Sequence, residues 1–196
     1  MTNTALITGA SSGIGAEFAR YHAALGGDLI ITARRGDALN ALKAELEAAH
    51  GISVTVVTCD LGAADGAEKL YQATKGTPID VLINNAGFGG HGKFVERPLL
   101  DDLAMIDLNV KSLVSLCHKI GNDMVTQGGG KILNVSSTAA YMPGPLQATY
   151  FASKAFVSSF SYALSEELRD AGVTVTSLEP GYVVTEFAAT ANLEGT

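Results

Sequence analysis

The amino-acid sequence predicts an α/β fold, a doubly wound parallel sheet with helices on both faces. Short runs rich in β-branched residues alternate with longer helical patterns along the 196 residues, Gly or Pro marks most joints, and a glycine-rich turn directly follows the first run. Such alternation brings the chain back to one sheet through right-handed crossovers, so the strands lie parallel and are covered on both sides. The strand order expected for this class is 3-2-1-4-5-6. No linker, low-complexity tract or internal repeat interrupts the pattern, and residues 1–196 are read as one domain.

The first strand is expected over 5–8 and the following helix over about 13–25. Between them stands Thr8-Gly9-Ala10-Ser11-Ser12-Gly13-Ile14-Gly15. Glycines at a strand-to-helix turn let the backbone approach a pyrophosphate, which the unpaired N–H groups and positive end of the helix attract. Glycines alone would serve a plain tight turn equally well; their position in a βαβ unit favours a nucleotide. The second strand, 28–32, leads into Ala33-Arg34-Arg35, about 18 residues after Gly15. A carboxylate is expected at that point where the ribose hydroxyls of NAD are bound, whereas a guanidinium grips a 2′-phosphate in bidentate fashion. Arg34 and Arg35 therefore point to NADP(H), with NAD(H) as second choice, although two arginines can also do no more than solvate a loop.

A helix over 37–49 leads to a third strand over 53–58 and a helix over 63–74. The fourth strand, 81–84, is followed by a glycine-rich loop around His91 and by one long helix over 98–125. Gly128-Gly129-Gly130 is read as the loop before the fifth strand, 131–135. A helix over 150–170 and a sixth strand over 174–178 complete the alternation. Met105 and Leu108 are core candidates, Cys117 and His118 are packing or subunit-surface groups, and His91 is read as an exposed loop histidine rather than a substrate ligand.

Composition narrows the classes. With 47% hydrophobic and 17% charged residues, the chain can bury roughly 70% of its unfolded surface without metal or disulfide staples. A net charge of −7, from 20 acidic and 13 basic residues, repels nucleic acid and anionic lipid. Cys59 and Cys117 stand alone in apolar stretches and the four histidines have no metal spacing, so neither a metal site nor a disulfide is expected. The first basic residue is Arg20 and no apolar run reaches 18 residues, which predicts a cytoplasmic protein without export signal or membrane span.

Tyr150 and Lys154 are four apart on a predicted helix and share one face. A free phenol titrates near 10 and works poorly at neutral pH; lowering it by ~3 units takes ~4 kcal/mol. One ammonium ~4 Å away supplies about that much at an effective dielectric near ~20. The pair is thus a candidate acid/base.

The motifs together resemble the classical short-chain dehydrogenase/reductase family over almost the whole chain: the glycine turn, Cys59-Asp60-Leu61, Asn84-Asn85-Ala86-Gly87, Asn109 in DLNVKS, NVSS over 134–137, YFASK over 150–154, and PGYVVT over 180–185. The resemblance implies a Rossmann-type nucleotide-binding fold and hydride transfer between a nicotinamide and a carbonyl or alcohol carbon. It implies Asp60 and Leu61 at the adenine, the turn through Asn85, Ala86 and Gly87 lining the cofactor and bracing the sheet, and Pro180, Gly181, Val183 and Thr185 at the nicotinamide. Tyr150 would transfer the proton, Lys154 would tune it and hold the ribose, Ser137 would bond the substrate oxygen, and Asn109 would position a water. Ser137, thirteen residues before Tyr150, is preferred to Ser136, whose side chain should face the other side of the sheet.

Family members continue through a substrate-covering segment, a further helix and a seventh strand, whereas this sequence stops eleven residues after Thr185. Lacking them, the sixth strand is expected to be an exposed edge and the pocket open. The leading expectation is an NADP(H)-dependent reductase or dehydrogenase acting on a small carbonyl or alcohol, assembled as a homodimer or higher homo-oligomer through the helices over 98–125 and 150–170. The alternative is a catalytically silent NADP(H)-binding or regulatory module; an extended-branch epimerase or dehydratase fits the glycine spacing less well.

Overall fold

Side chains alternate across a strand, and here both alternating sets are apolar. Ala5 and Ile7 of β1 (Thr4–Thr8), with Leu29 and Ile31 of β2 (Asp28–Ala33), face one layer, while Leu6 and Ile30 face the other. The structure, a computed structural model, is described for residues 3–181. Its remaining strands are β3 (Val54–Thr58), β4 (Val81–Asn84), β5 (Gly130–Val135) and β6 (Val173–Leu178). All pair in parallel in the order β3-β2-β1-β4-β5-β6, as the alternation predicts.

One face is covered by α1 (Gly13–Ala24) and α2 (Gly36–His50). Ala16, Ala19 and Ala23 allow α1 to approach the sheet closely, and Leu39, Leu42 and Leu46 form the buried stripe of α2. The other face carries α3 (Gly66–Thr74), α5 (Leu113–Gln127) and α6 (Ala148–Leu168), packed through Leu70, Leu116, Ile120 and Val157 onto Leu82, Ile132 and Val175. Two asparagines brace the sheet within this layer. Asn84 Nδ2 donates to Asn134 Oδ1 at 2.9 Å across β4 and β5, and Asn134 Nδ2 donates to Ser161 Oγ of α6 at 2.9 Å.

The long helix predicted over 98–125 is present and runs without interruption over 99–127, as α4 (Leu99–Ile106), a π-helical segment over Asp107–Ser112, and α5. The wide turn carries Asn109, 2% exposed, whose contacts lie outside its own helix. Smaller shifts occur elsewhere: Gly130 belongs to β5, α3 starts at Gly66, and α6 starts at Ala148 and ends in a 3-10 turn over Arg169–Ala171. Cys117 and Met105 are buried as expected, Leu108 is partly buried against the same layer, and His118 is exposed. Among the described residues no helix is long and apolar enough to cross a membrane, and no cluster of His, Cys, Asp and Glu could hold a metal.

Candidate active site

The order reverses between β1 and β4, and the strands' carboxyl ends open there into a cleft of about 610 Å³. The glycine turn forms one wall. Thr8 Oγ1 accepts hydrogen bonds from the Asn85 and Ala86 amides at 2.9 Å each, and Asn85 Nδ2 donates to the carbonyls of Thr8 at 3.0 Å and Gly9 at 3.2 Å. The turn after β4 is thereby fastened to the turn after β1. That closeness dictates the glycines: at Gly9 (φ +67°) a Cβ would lie 2.8 Å from Asn85 Nδ2, and at Gly15 it would lie 2.4 Å from the Gly9 carbonyl oxygen. Gly15 therefore serves the turn's own closure, while Gly9, Gly13 and Ile14 line the cleft.

The donors at this end are not spent on capping the helix. Ser12, the N-cap of α1, makes no side-chain cap, and its hydroxyl instead accepts from Arg35 Nη2 at 2.8 Å. Arg35 also donates from Nη2 to Ser11 Oγ at 3.2 Å, which draws its guanidinium across the turn. Arg34 lines the cleft beside it, and among the described residues no carboxylate lines this part of the wall. After β3, Asp60 Oδ1 accepts from the Gly62 amide at 3.0 Å, forming a local turn that sets Asp60 and Leu61 at the cleft edge. Uncapped helix amides, two guanidinia and two serine hydroxyls are the chemistry that binds the phosphates of a dinucleotide, and this donor set fits one.

At the other end stand Ser137, Tyr150 and Lys154, with Gly87, Pro180 and Gly181 alongside. Ser137 caps the 3-10 turn over Thr138–Tyr141, accepting from the Ala139 amide at 3.1 Å, and lines the same end of the cleft as Tyr150. Burial pushes the Tyr150 phenol up from its ordinary value, and the Ser137 hydroxyl works against that shift. Lys154, 6% exposed, donates from Nζ to the Val135 carbonyl at 2.9 Å, and burial pulls it down to about 8. Its Nζ stands 5.8 Å from the centroid of the Tyr150 ring. The carbonyl at the end of β5 holds the buried ammonium. Ser136 turns away as expected, donating to the Lys154 carbonyl at 2.8 Å.

Asn109 is fixed between the loop after β4 and α6. Its Oδ1 accepts from the Phe88 amide at 3.1 Å, and its Nδ2 donates to the Phe88 carbonyl at 2.9 Å and to Ser153 Oγ at 3.1 Å. The side chain lies behind the cleft wall and ties the loop after β4 to α6. Val183 and Thr185 lie outside the described residues.

Other wall residues carried no signal of their own in the sequence. Phe88, Met142, Gln147 and Phe151 line the end near Tyr150. A buried ion pair shapes the loop around His91: Arg97 Nε lies 3.2 Å from Asp102 Oδ2, and Arg97 Nη1 donates to the His91 carbonyl at 3.0 Å. The Gly92 amide donates to the Leu146 carbonyl at 2.8 Å, joining this loop to the one before α6.

A sequence model of the family described as short chain dehydrogenase matches residues 3–195. A 3-oxoacyl-[acyl-carrier-protein] reductase of Synechocystis sp. is 38% identical over 194 residues, covering 97% of this chain and 78% of that protein. A short-chain dehydrogenase from Sphingobium yanoikuyae in complex with NADPH superposes with a TM-score of 0.93 at 34% identity, over 97% of this chain and 75% of that one. A short chain dehydrogenase/reductase from Burkholderia phymatum in complex with NAD gives a TM-score of 0.90 at 31% identity, over 96% and 69% of the respective chains.

Proposed function

The chain belongs to the short chain dehydrogenase family, and from that premise we propose that it is an NADP(H)-dependent oxidoreductase interconverting a carbonyl and a secondary alcohol, with Tyr150 as acid/base. The observation that carries the proposal is the grouping of Ser137, Tyr150 and buried Lys154 at one end of a cleft whose other end offers uncapped helix amides and two arginines. A bound nicotinamide supplies the hydride, or takes it up in the reverse direction.

In reduction, Ser137 and Tyr150 donate hydrogen bonds to the carbonyl oxygen, steadying the charge that develops there. Tyr150 keeps its proton at neutral pH, because burial raises its pKa, and yields it to the far more basic alkoxide oxygen. Lys154, held by Val135, places a positive charge beside the phenol and a donor towards the ribose. Asn109 acts as a positioning residue, holding the loop at Phe88 against α6. Ala33 at the end of β2 and Arg34 and Arg35 after it support NADP(H) over NAD(H), and the NADPH complex of the Sphingobium relative agrees with that preference, while the NAD complex of the Burkholderia relative keeps NAD(H) as second choice. A cytoplasmic homodimer or higher homo-oligomer is part of the same proposal. The reading as a silent binding module makes no use of the Ser137, Tyr150 and Lys154 grouping.

Titration with NADPH and NADH tests the proposal. The chain is expected to prefer NADPH, and Arg34→Ala and Arg35→Ala to weaken NADPH by about 10–100-fold, the loss of one charged hydrogen bond, with little change for NADH. Equal losses for both dinucleotides would overturn the assignment of the arginines.

A further inference from the structure

Behind the reaction end, four hydroxyls converge on one carboxylate. Glu179 Oε1 accepts from Ser158 at 2.7 Å, Tyr162 at 2.7 Å and Ser177 at 3.0 Å, and Oε2 accepts from Tyr141. Burial opposes the ionisation of Glu179, but the bonds from Tyr141, Tyr162, Ser158 and Ser177 outweigh it and hold the carboxyl down to about 2. A half-buried carboxylate with this many donors is a structural joint rather than a solvated surface charge.

The donors come from the segments that carry the candidate chemistry. Ser158 and Tyr162 lie one and two turns beyond Lys154 on α6. Tyr141 ends the 3-10 turn that Ser137 caps. Glu179 itself directly precedes Pro180, and the backbone bonds Ser136 N to Leu178 O at 2.7 Å and Thr138 N to Pro180 O at 3.1 Å flank it. The network reaches further on both sides: Ser158 Oγ lies 2.8 Å from Ser136 Oγ, which donates to the Lys154 carbonyl, and the Tyr141 and Tyr162 hydroxyls lie 2.9 Å apart, joining the turn to α6.

We propose that Glu179 is a positioning residue of the reaction centre, whose carboxylate holds the Ser137 turn against α6 and so sets the placement of Ser137 relative to Tyr150. The inference rests on Tyr150 being the acid/base. Replacing the carboxylate by an amide puts a donor where Oε2 accepts from Tyr141, so that hydroxyl must turn towards Tyr162 and the turn carrying it shifts. Ser137, whose hydroxyl works against the rise of the phenol, then moves relative to Tyr150.

The test needs no cofactor. Tyrosine ionisation is followed by ultraviolet difference titration in the unaltered chain, in Glu179→Gln and in Tyr141→Phe, each with the matching Tyr150→Phe titration subtracted to isolate Tyr150. Circular dichroism reports that each variant is folded. The phenolate fraction of Tyr150 at a given pH is expected to fall about tenfold in both variants, as for one weakened bond to an ion. An unchanged Tyr150 titration in folded Tyr141→Phe overturns the inference, even where Glu179→Gln fails to fold. NADPH titration of the unaltered chain separates the two claims, because absent binding overturns the functional reading while the phenol titration still decides the role of Glu179.

Discussion

Replacing Tyr150 by Phe removes one oxygen from the cleft and little that shapes it, because the ring keeps its edge contact with Phe151, 6.0 Å between centroids. NADPH affinity is expected to survive in Tyr150→Phe while carbonyl reduction falls by about 10²–10⁴-fold, and steady-state rates with a fluorescence titration check both. Retained turnover would remove Tyr150 from its assigned role. Lys154 leaves its mark on stability instead. Its ammonium titrates at about 8 in the folded chain against 10.5 unfolded, so between those values the unfolded state binds more protons and stability rises with pH. The cost of burying the charge is present in full below about 8 and is relieved towards 10.5. Melting curves across that window are expected to show the unaltered chain gaining on Lys154→Met; parallel curves would refute the shift. The spacing of Tyr150 and Lys154 was legible because a helix puts residues four apart on one face. The bond from Lys154 to Val135 was not, since it depends on how α6 lies across the end of β5.

Local geometry decides the glycine turn and the π segment in opposite ways. At Gly9 a positive φ and a Cβ position 2.8–2.9 Å from Asn85 and Ala86 leave no accommodation for a side chain. Gly9→Ala is expected to lose about 1–3 kcal/mol of stability and, by prising the turn from Asn85, most of the NADPH affinity. Chemical denaturation and dinucleotide titration measure the two effects, and a variant with unaltered affinity would separate the turn from the cofactor site. This element was readable because its residues are contiguous. The π segment within the 98–125 helix was not, because Asn109 is held by Phe88 and Ser153, 21 and 44 positions away. Glu179 escaped notice for the same reason: its donors lie up to 38 positions away, and only the fold assembles them.

Across the described residues, the central strands of the parallel sheet bury both of their faces, yet one helical surface stays apolar and exposed. On α4, Leu99 is 62% and Leu100 77% exposed, and Leu103 and Ile106 are exposed as well. Phe94 and Val95 precede them, and α4 packs beside α6, where Phe156 and Tyr162 are exposed too. Single exposed leucines are ordinary, but neighbouring ones in this number favour contact with another protein surface. In a homo-oligomer a two-fold axis would set such a patch against its own copy, so one substitution acts twice per interface. The unaltered chain is therefore expected to run as a dimer or larger in light scattering coupled to size exclusion. Leu100→Glu, which places a charge on each side of that contact, is expected to shift it towards monomer without lowering the melting temperature of the monomer fold. A monomeric unaltered chain at tens of micromolar would defeat the oligomer assignment, and a Leu100→Glu chain still fully dimeric would move the interface away from α4.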